Sequence, residues 1–178
     1  MTKKMWAAVI GVVILMIVAS GIVIYFKLGG FVKTGATDVQ QDALEFQVYD
    51  EKGKAVKFSE FEGEPVVINF WASWAEPSQK ELPLFEEAYK EYGDEVQFMM
   101  IDFSGANGET QEKGAAFIKD NGYTFPVFFD NDKNAGTVYR VMSIPLTYFI
   151  NEEGVIVKEV KGIMDETMMQ DGIKAITE

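Results

Sequence analysis

Apolar residues along the chain fall into three kinds of run, and each predicts a different element. The first lies between Trp6 and Phe26 (WAAVIGVVILMIVASGIVIYF), carries no charge and as a helix spans roughly 30 Å, the hydrocarbon thickness of a bilayer. Trp6 and Tyr25 near its ends match interfacial aromatics, and no A-x-A-like cleavage site follows, so the segment predicts an uncleaved anchor rather than a signal peptide. Lys3 and Lys4 before it are matched by Lys27 and Lys33 after it, which leaves orientation undecided by charge alone. The expected organisation is a short cytoplasmic tail over 1–5, the anchor over 6–26, a linker over 27–43 and one folded domain over 44–178. The linker's Gly, Thr, Gln and Asp content, with little periodicity, is that of a tether.

The second kind of run is short, apolar and β-branched. Residues 65–71 (PVVINFW) and 96–103 (VQFMMIDF) read as strands buried on both faces, with a third at 125–129. Two hairpins flank them: 44–49 with 55–58 around Asp50-Glu51-Lys52-Gly53, and 146–150 with 155–160 around Asn151-Glu152-Glu153-Gly154. The third kind recurs at helical spacing. From Pro77, Leu82, Phe85, Ala88, Tyr89 and Tyr92 form one stripe, while Glu81, Glu86, Glu87 and Glu91 are assigned to the opposite, polar face. Pro83 is expected to kink this helix and Gly93 to end it. Further helices are predicted over 110–121, 133–141 and 165–176. Strand, helix and strand in this order make a crossover with parallel strands, so the fold class is α/β, a mixed central sheet with helices on both faces.

Composition narrows the chemistry. All 28 acidic side chains lie from Asp38 onward, and the chain's net charge is -12, so a nucleic-acid partner is excluded by repulsion from phosphate. With no histidine and no cysteine, the usual ligands for zinc, copper and iron are missing, and His-dependent triads are ruled out. No cofactor is implied, because neither phosphate-cradling glycine pattern occurs. Residues 130–136 (DNDKNAG) imitate an EF-hand start, but Ala135 holds the required glycine position and Val141 the bidentate glutamate position, so they read as a turn entering a helix. The methionine pairs at 99–100 and 168–169 read as packing rather than ligands.

One stretch stands apart: Asn69-Phe70-Trp71-Ala72-Ser73-Trp74-Ala75-Glu76-Pro77-Ser78 resembles the thioredoxin-like signature F-W-A-x-W-C-x-P-C everywhere except at its two cysteines. It is most similar to the C-E-P-C form of the ResA/TlpA family of membrane-tethered thiol–disulfide oxidoreductases. Ser143-Ile144-Pro145-Leu146-Thr147 resembles that family's cis-proline segment, and residues 125–130 resemble the segment after its inserted helix. The resemblance implies a thioredoxin-like fold with an N-terminal β-hairpin and a central inserted helix and strand.

In that family's chemistry, a thiolate at a helix N-terminus is stabilised by unpaired N–H groups and the macrodipole, and a second cysteine one turn on resolves the mixed disulfide. Ala75 and Ser78 occupy the two catalytic positions here, so the sequence as written carries no dithiol activity. Two origins stay open: deliberate silencing by the smallest replacements, which the retained Trp74, Glu76 and Pro77 favour, and a natural thiol-less relative. The resemblance assigns Glu76 to proton handling, since Asn69 stands where thioredoxin has a buried aspartate and an amide is no base; a solvated carboxylate near a helix end is the plain alternative. It assigns Trp74 and Pro77 to the rim of a substrate groove, and Ile144 beside a cis Pro145 to strand-like hydrogen bonding with an extended peptide. The implied partners are a disulfide-containing protein such as apocytochrome c, a CcdA-type membrane electron donor and the membrane itself. The implied location is the extracytoplasmic side of the cell membrane.

Overall fold

The computed structural model describes residues 35–178, so the anchor and the first part of the linker lie outside the described residues. Among the described residues eight strands form one sheet in the order β1-β8-β7-β4-β5-β6-β2-β3. They are β1 (Gly35–Asp42), β2 (Gln47–Tyr49), β3 (Ala55–Lys57), β4 (Val66–Trp71), β5 (Gln97–Asp102), β6 (Val127–Phe129), β7 (Leu146–Ile150) and β8 (Val155–Lys161). The helices are α1 (Glu76–Tyr92), α2 (Gln111–Asn121), α3 (Asn134–Val138) and α4 (Glu166–Thr177).

The wholly buried run in β4 sits at the centre, parallel to β5 and antiparallel to β7. Parallel pairing of β4, β5 and β6 requires the crossovers that α1 and α2 supply, whereas the hairpins β2–β3 and β7–β8 close antiparallel. Strand alternation sorts the core into two layers. Val67 and Trp71 of β4 face Leu82, Phe85 and Ala88 of α1, Ile118 of α2 and Met169, Ile173 and Ile176 of α4. Val66, Ile68 and Phe70 face the other side, with Phe46, Phe58, Ala135 and Tyr139. Asn69 shares the α1 side with Val67 and Trp71, so a polar group points from the sheet centre at a helix.

Two expectations need correction. The linker does not run to residue 43 as its composition predicts: Gly35–Asp42 forms an edge strand antiparallel to β8, from Gly35 opposite Lys161 to Asp42 opposite Val155. Its residues are mostly exposed and its pairing is made by backbone groups, which leave no apolar alternation to read. The polar face assigned to α1 holds for Glu87 and Glu91, which are exposed, but not for Glu81 and Glu86, which are buried. The helix continues through Pro83, which lies on the exposed side where solvent can serve the carbonyl it leaves unpaired.

Candidate functional site

The site is built where β4 ends and α1 begins. Residues 72–75 turn out of the sheet, with the Ala75 N–H donating to the Ala72 carbonyl (3.1 Å), and Ala75 becomes the N-cap of α1 in extended geometry. No side chain caps the helix, and Pro77 in its first turn has no N–H to offer. Ser78, three residues on, stacks over the same face; it is fully buried and its Oγ has no hydrogen-bond partner among the described residues. The positive end of a helix therefore faces a position where alanine supplies no acceptor. Replacing Ala75 with serine is expected to add a cap and raise stability by about 1 kcal/mol, measured by urea unfolding.

Across from this turn, the Ile144–Pro145 peptide is cis at the start of β7. Between the two lies a cleft of about 400 Å³ lined by Trp74, Ala75, Glu76, Pro77, Phe103 and Ile144, among others. Ala75 is 2 % exposed, but it belongs to neither core layer and forms part of the cleft wall. Trp74 (44 % exposed) and Met142 (93 %) stand at the mouth as large apolar groups in water. Six of the seven residues singled out in the sequence thus meet at or beside one cleft, and Ser78 lies buried behind it.

Glu76 lines the cleft as the solvated carboxylate near a helix end that the sequence also allows. Its carboxylate is exposed and ion-paired with Lys80 at 2.8 Å, one turn along, and that hydrogen bond and charge hold its pKa below the ordinary glutamate value. The buried acid is Glu81. Its Oε1 accepts from the Asn69 amide (2.8 Å) and its Oε2 from the Met164 N–H (3.0 Å), while the same Asn69 amide also donates to Thr147 Oγ (3.0 Å). Burial pushes the Glu81 pKa up to about 8, against the opposing pull of those two donors. The signal was present in the spacing: positions 78, 81, 82 and 85 share one helical stripe, so Glu81 belongs with Leu82 and Phe85.

A second buried acid cluster flanks the cleft. Glu109 accepts from the Ser73 N–H (3.3 Å) and Oγ (2.9 Å), and Asp102 accepts from Ser104 while its Oδ2 has no donor among the described residues. No sequence motif marked these residues. Asp130, from the EF-hand-like stretch, turns its carboxylate onto the N–H groups of Ala135 (3.0 Å) and Gly136 (2.8 Å) and so caps α3.

A mixed sheet with a crossover helix starting at the cleft, facing a cis-proline, defines a thioredoxin-like domain. The AhpC/TSA family profile matches residues 39–159, and the chain belongs to that family as a homologue of the ResA-type thiol–disulfide oxidoreductases. It is 33% identical over 167 residues to thiol-disulfide oxidoreductase ResA of Bacillus subtilis (strain 168), covering 93% of this chain and 90% of that one. Thioredoxin-like protein YneN of the same strain is 32% identical over 130 residues, 73% and 75% of the two chains. StoA from Bacillus subtilis superposes with a TM-score of 0.64 at 27% identity, over 73% of this chain and 96% of that one. A DsbE protein from Chlorobium tepidum, with a TM-score of 0.70, 22% identity and coverage of 79% and 99%, shares the fold.

Proposed function

We propose that the chain is a redox-silent form of a membrane-tethered, extracytoplasmic disulfide reductase, retaining the substrate cleft and the buried acid while lacking both sulfur atoms. The observation that carries the reading is the uncapped start of α1: Ala75 stands at the N-cap facing the cleft, with the orphaned Ser78 Oγ one turn behind. A thiolate at position 75 would meet the helix's free N–H groups, and a thiol at 78 would lie within one turn of it. Alanine and serine can form neither a mixed nor an internal disulfide. The parent activity suggested by the resemblance is reduction of the haem-binding Cys-x-x-Cys of apocytochrome c, with electrons from a CcdA-type membrane carrier. Replacement of the two cysteines by design accounts for a motif otherwise intact.

The test is Ala75→Cys with Ser78→Cys in the full chain. Reduction of insulin disulfides by dithiothreitol should accelerate at least tenfold over the chain as written, which should match the uncatalysed rate. A folded double variant with a normal thiol titration but no acceleration removes the reductase reading. One observation favours a second reading, a natural redox-inert peptide holder: Trp74 and Met142 expose apolar surface at the cleft mouth. That reading predicts an inactive dicysteine variant that still binds extended apolar peptides, lost on Trp74→Ala.

A further inference from the structure

We propose that Glu109 is a positioning residue for the cleft, fastening its two walls together through Ser73 on one side and against Asp102 on the other. One wall is the turn carrying Ser73 and Trp74; the other is the segment after β5, where Phe103, Ala106 and Asn107 line the same cleft. That segment is folded back on itself at Glu109, whose carbonyl accepts from Gly105 N–H (2.9 Å) and whose N–H donates to the Ala106 carbonyl (2.8 Å). Gly105, Asn107 and Gly108 all adopt positive φ to make that turn. The Glu109 side chain, 2 % exposed, then reaches 36 positions back in sequence to take both donors of Ser73.

Asp102 makes this fastening conditional. It is fully buried at the end of β5, Ser104 serves its Oδ1, and its Oδ2 faces no donor among the described residues and packs so closely on Gly114 that a Cβ there would collide with it. The charge acting on it is that of Glu109. Among the other charged groups nearby, Lys113 Nζ donates to the Gly108 carbonyl (2.6 Å), Lys133 lies along Gly105, Asp130 accepts from the first N–H groups of α3, and Glu76 pairs with Lys80. Asp102, buried beside the Glu109 carboxylate with no donor on its Oδ2 among the described residues, is favoured in its protonated form. Consistent with this, burial first and Glu109 second push the Asp102 pKa up, against Ser104, to about 8. Loss of the proton sets like charges against each other, frees the 103–110 segment from Ser73 and displaces Trp74.

The role of this fastening in substrate binding rests on the cleft reading above, so the experiment has two arms. In the first, the full chain is labelled with ¹⁵N-tryptophan and the indole N–H resonance of Trp74, assigned by its loss in Trp74→Phe, is followed from pH 6 to 10. The native resonance should shift with a midpoint near pH 8. Glu109→Gln keeps an acceptor for Ser73 and brings an amide donor to Asp102, so it should hold the low-pH position throughout; Glu109→Ala should sit displaced throughout. A Trp74 resonance unmoved by Glu109→Ala, or titrating in Glu109→Gln as in the native chain, overturns the proposal. In the second arm, placed in the Ala75→Cys/Ser78→Cys background with insulin as substrate, Glu109→Ala should raise KM about tenfold with kcat within twofold, and Glu109→Gln should restore KM. Equal KM for all three refutes the cleft role, while an inactive background counts against the reductase reading and leaves the first arm to decide on Glu109.

Discussion

Replacing Glu81 with glutamine is expected to leave the domain about as stable as the parent at pH 5 and to make it more stable at pH 9 by about 2–4 kcal/mol. The sign follows from the direction of the shift. Glu81 has a folded pKa near 8 against an ordinary value of 4.5, so between those values the folded chain holds a proton that the unfolded chain has released. Stability therefore falls as pH rises through that window and levels off above it, opposite to the behaviour of a salt-bridged carboxylate. Glutamine never ionises and escapes this fall.

It also fits the hydrogen-bond inventory. Asn69 Oδ1 has no partner among the described residues, so a turn of the Asn69 amide presents that oxygen to the N–H₂ of the introduced glutamine, whose own oxygen keeps the Met164 N–H. Urea unfolding at half-unit steps from pH 5 to 9 measures the difference. A gap between variant and parent that is the same at every pH would mean that Glu81 is charged throughout and that the donors around it outweigh burial.

What the sequence makes legible, and what it conceals, divides along the same physical lines. The β4 run announces itself because a strand covered on both faces has to be apolar at every position but the one that serves a polar partner, Asn69. The cleft is legible as a set of residues, since Trp74, Ala75, Pro77, Ile144 and Pro145 meet there, although they come from stretches some 70 residues apart in the chain. Glu81 is misplaced when a carboxylate is assigned to the surface on type alone, because its spacing from Ser78 and Phe85 puts it inside. Asp102 and Glu109 are invisible for a different reason. Glu109 lies in a Gly- and Asn-rich loop with no period, and its burial comes from Ser73 in a distant turn. The edge strand β1 is likewise hidden, because its partner β8 recognises backbone groups that every sequence possesses.

Gly172→Ala is expected to destabilise the domain by about 3 kcal/mol, although alanine is the better helix former by about 1 kcal/mol. Gly172 lies on the buried face of α4 with Met169, Ile173 and Ile176. A Cβ there would collide with three ring atoms of Phe149, which is fully buried in β7 and cannot swing aside. The helix must lift instead. Met164, just before α4, supplies the N–H that holds Glu81, so the same shift weakens the site's buried acid. Trimming the obstacle tests this account: Phe149→Leu alone should cost stability by opening a cavity, yet combined with Gly172→Ala it should lose less than the sum of the two single changes. Strict additivity in that cycle, or a neutral Gly172→Ala, would show that α4 does not press on Phe149 and that the seat of Glu81 is set by other contacts.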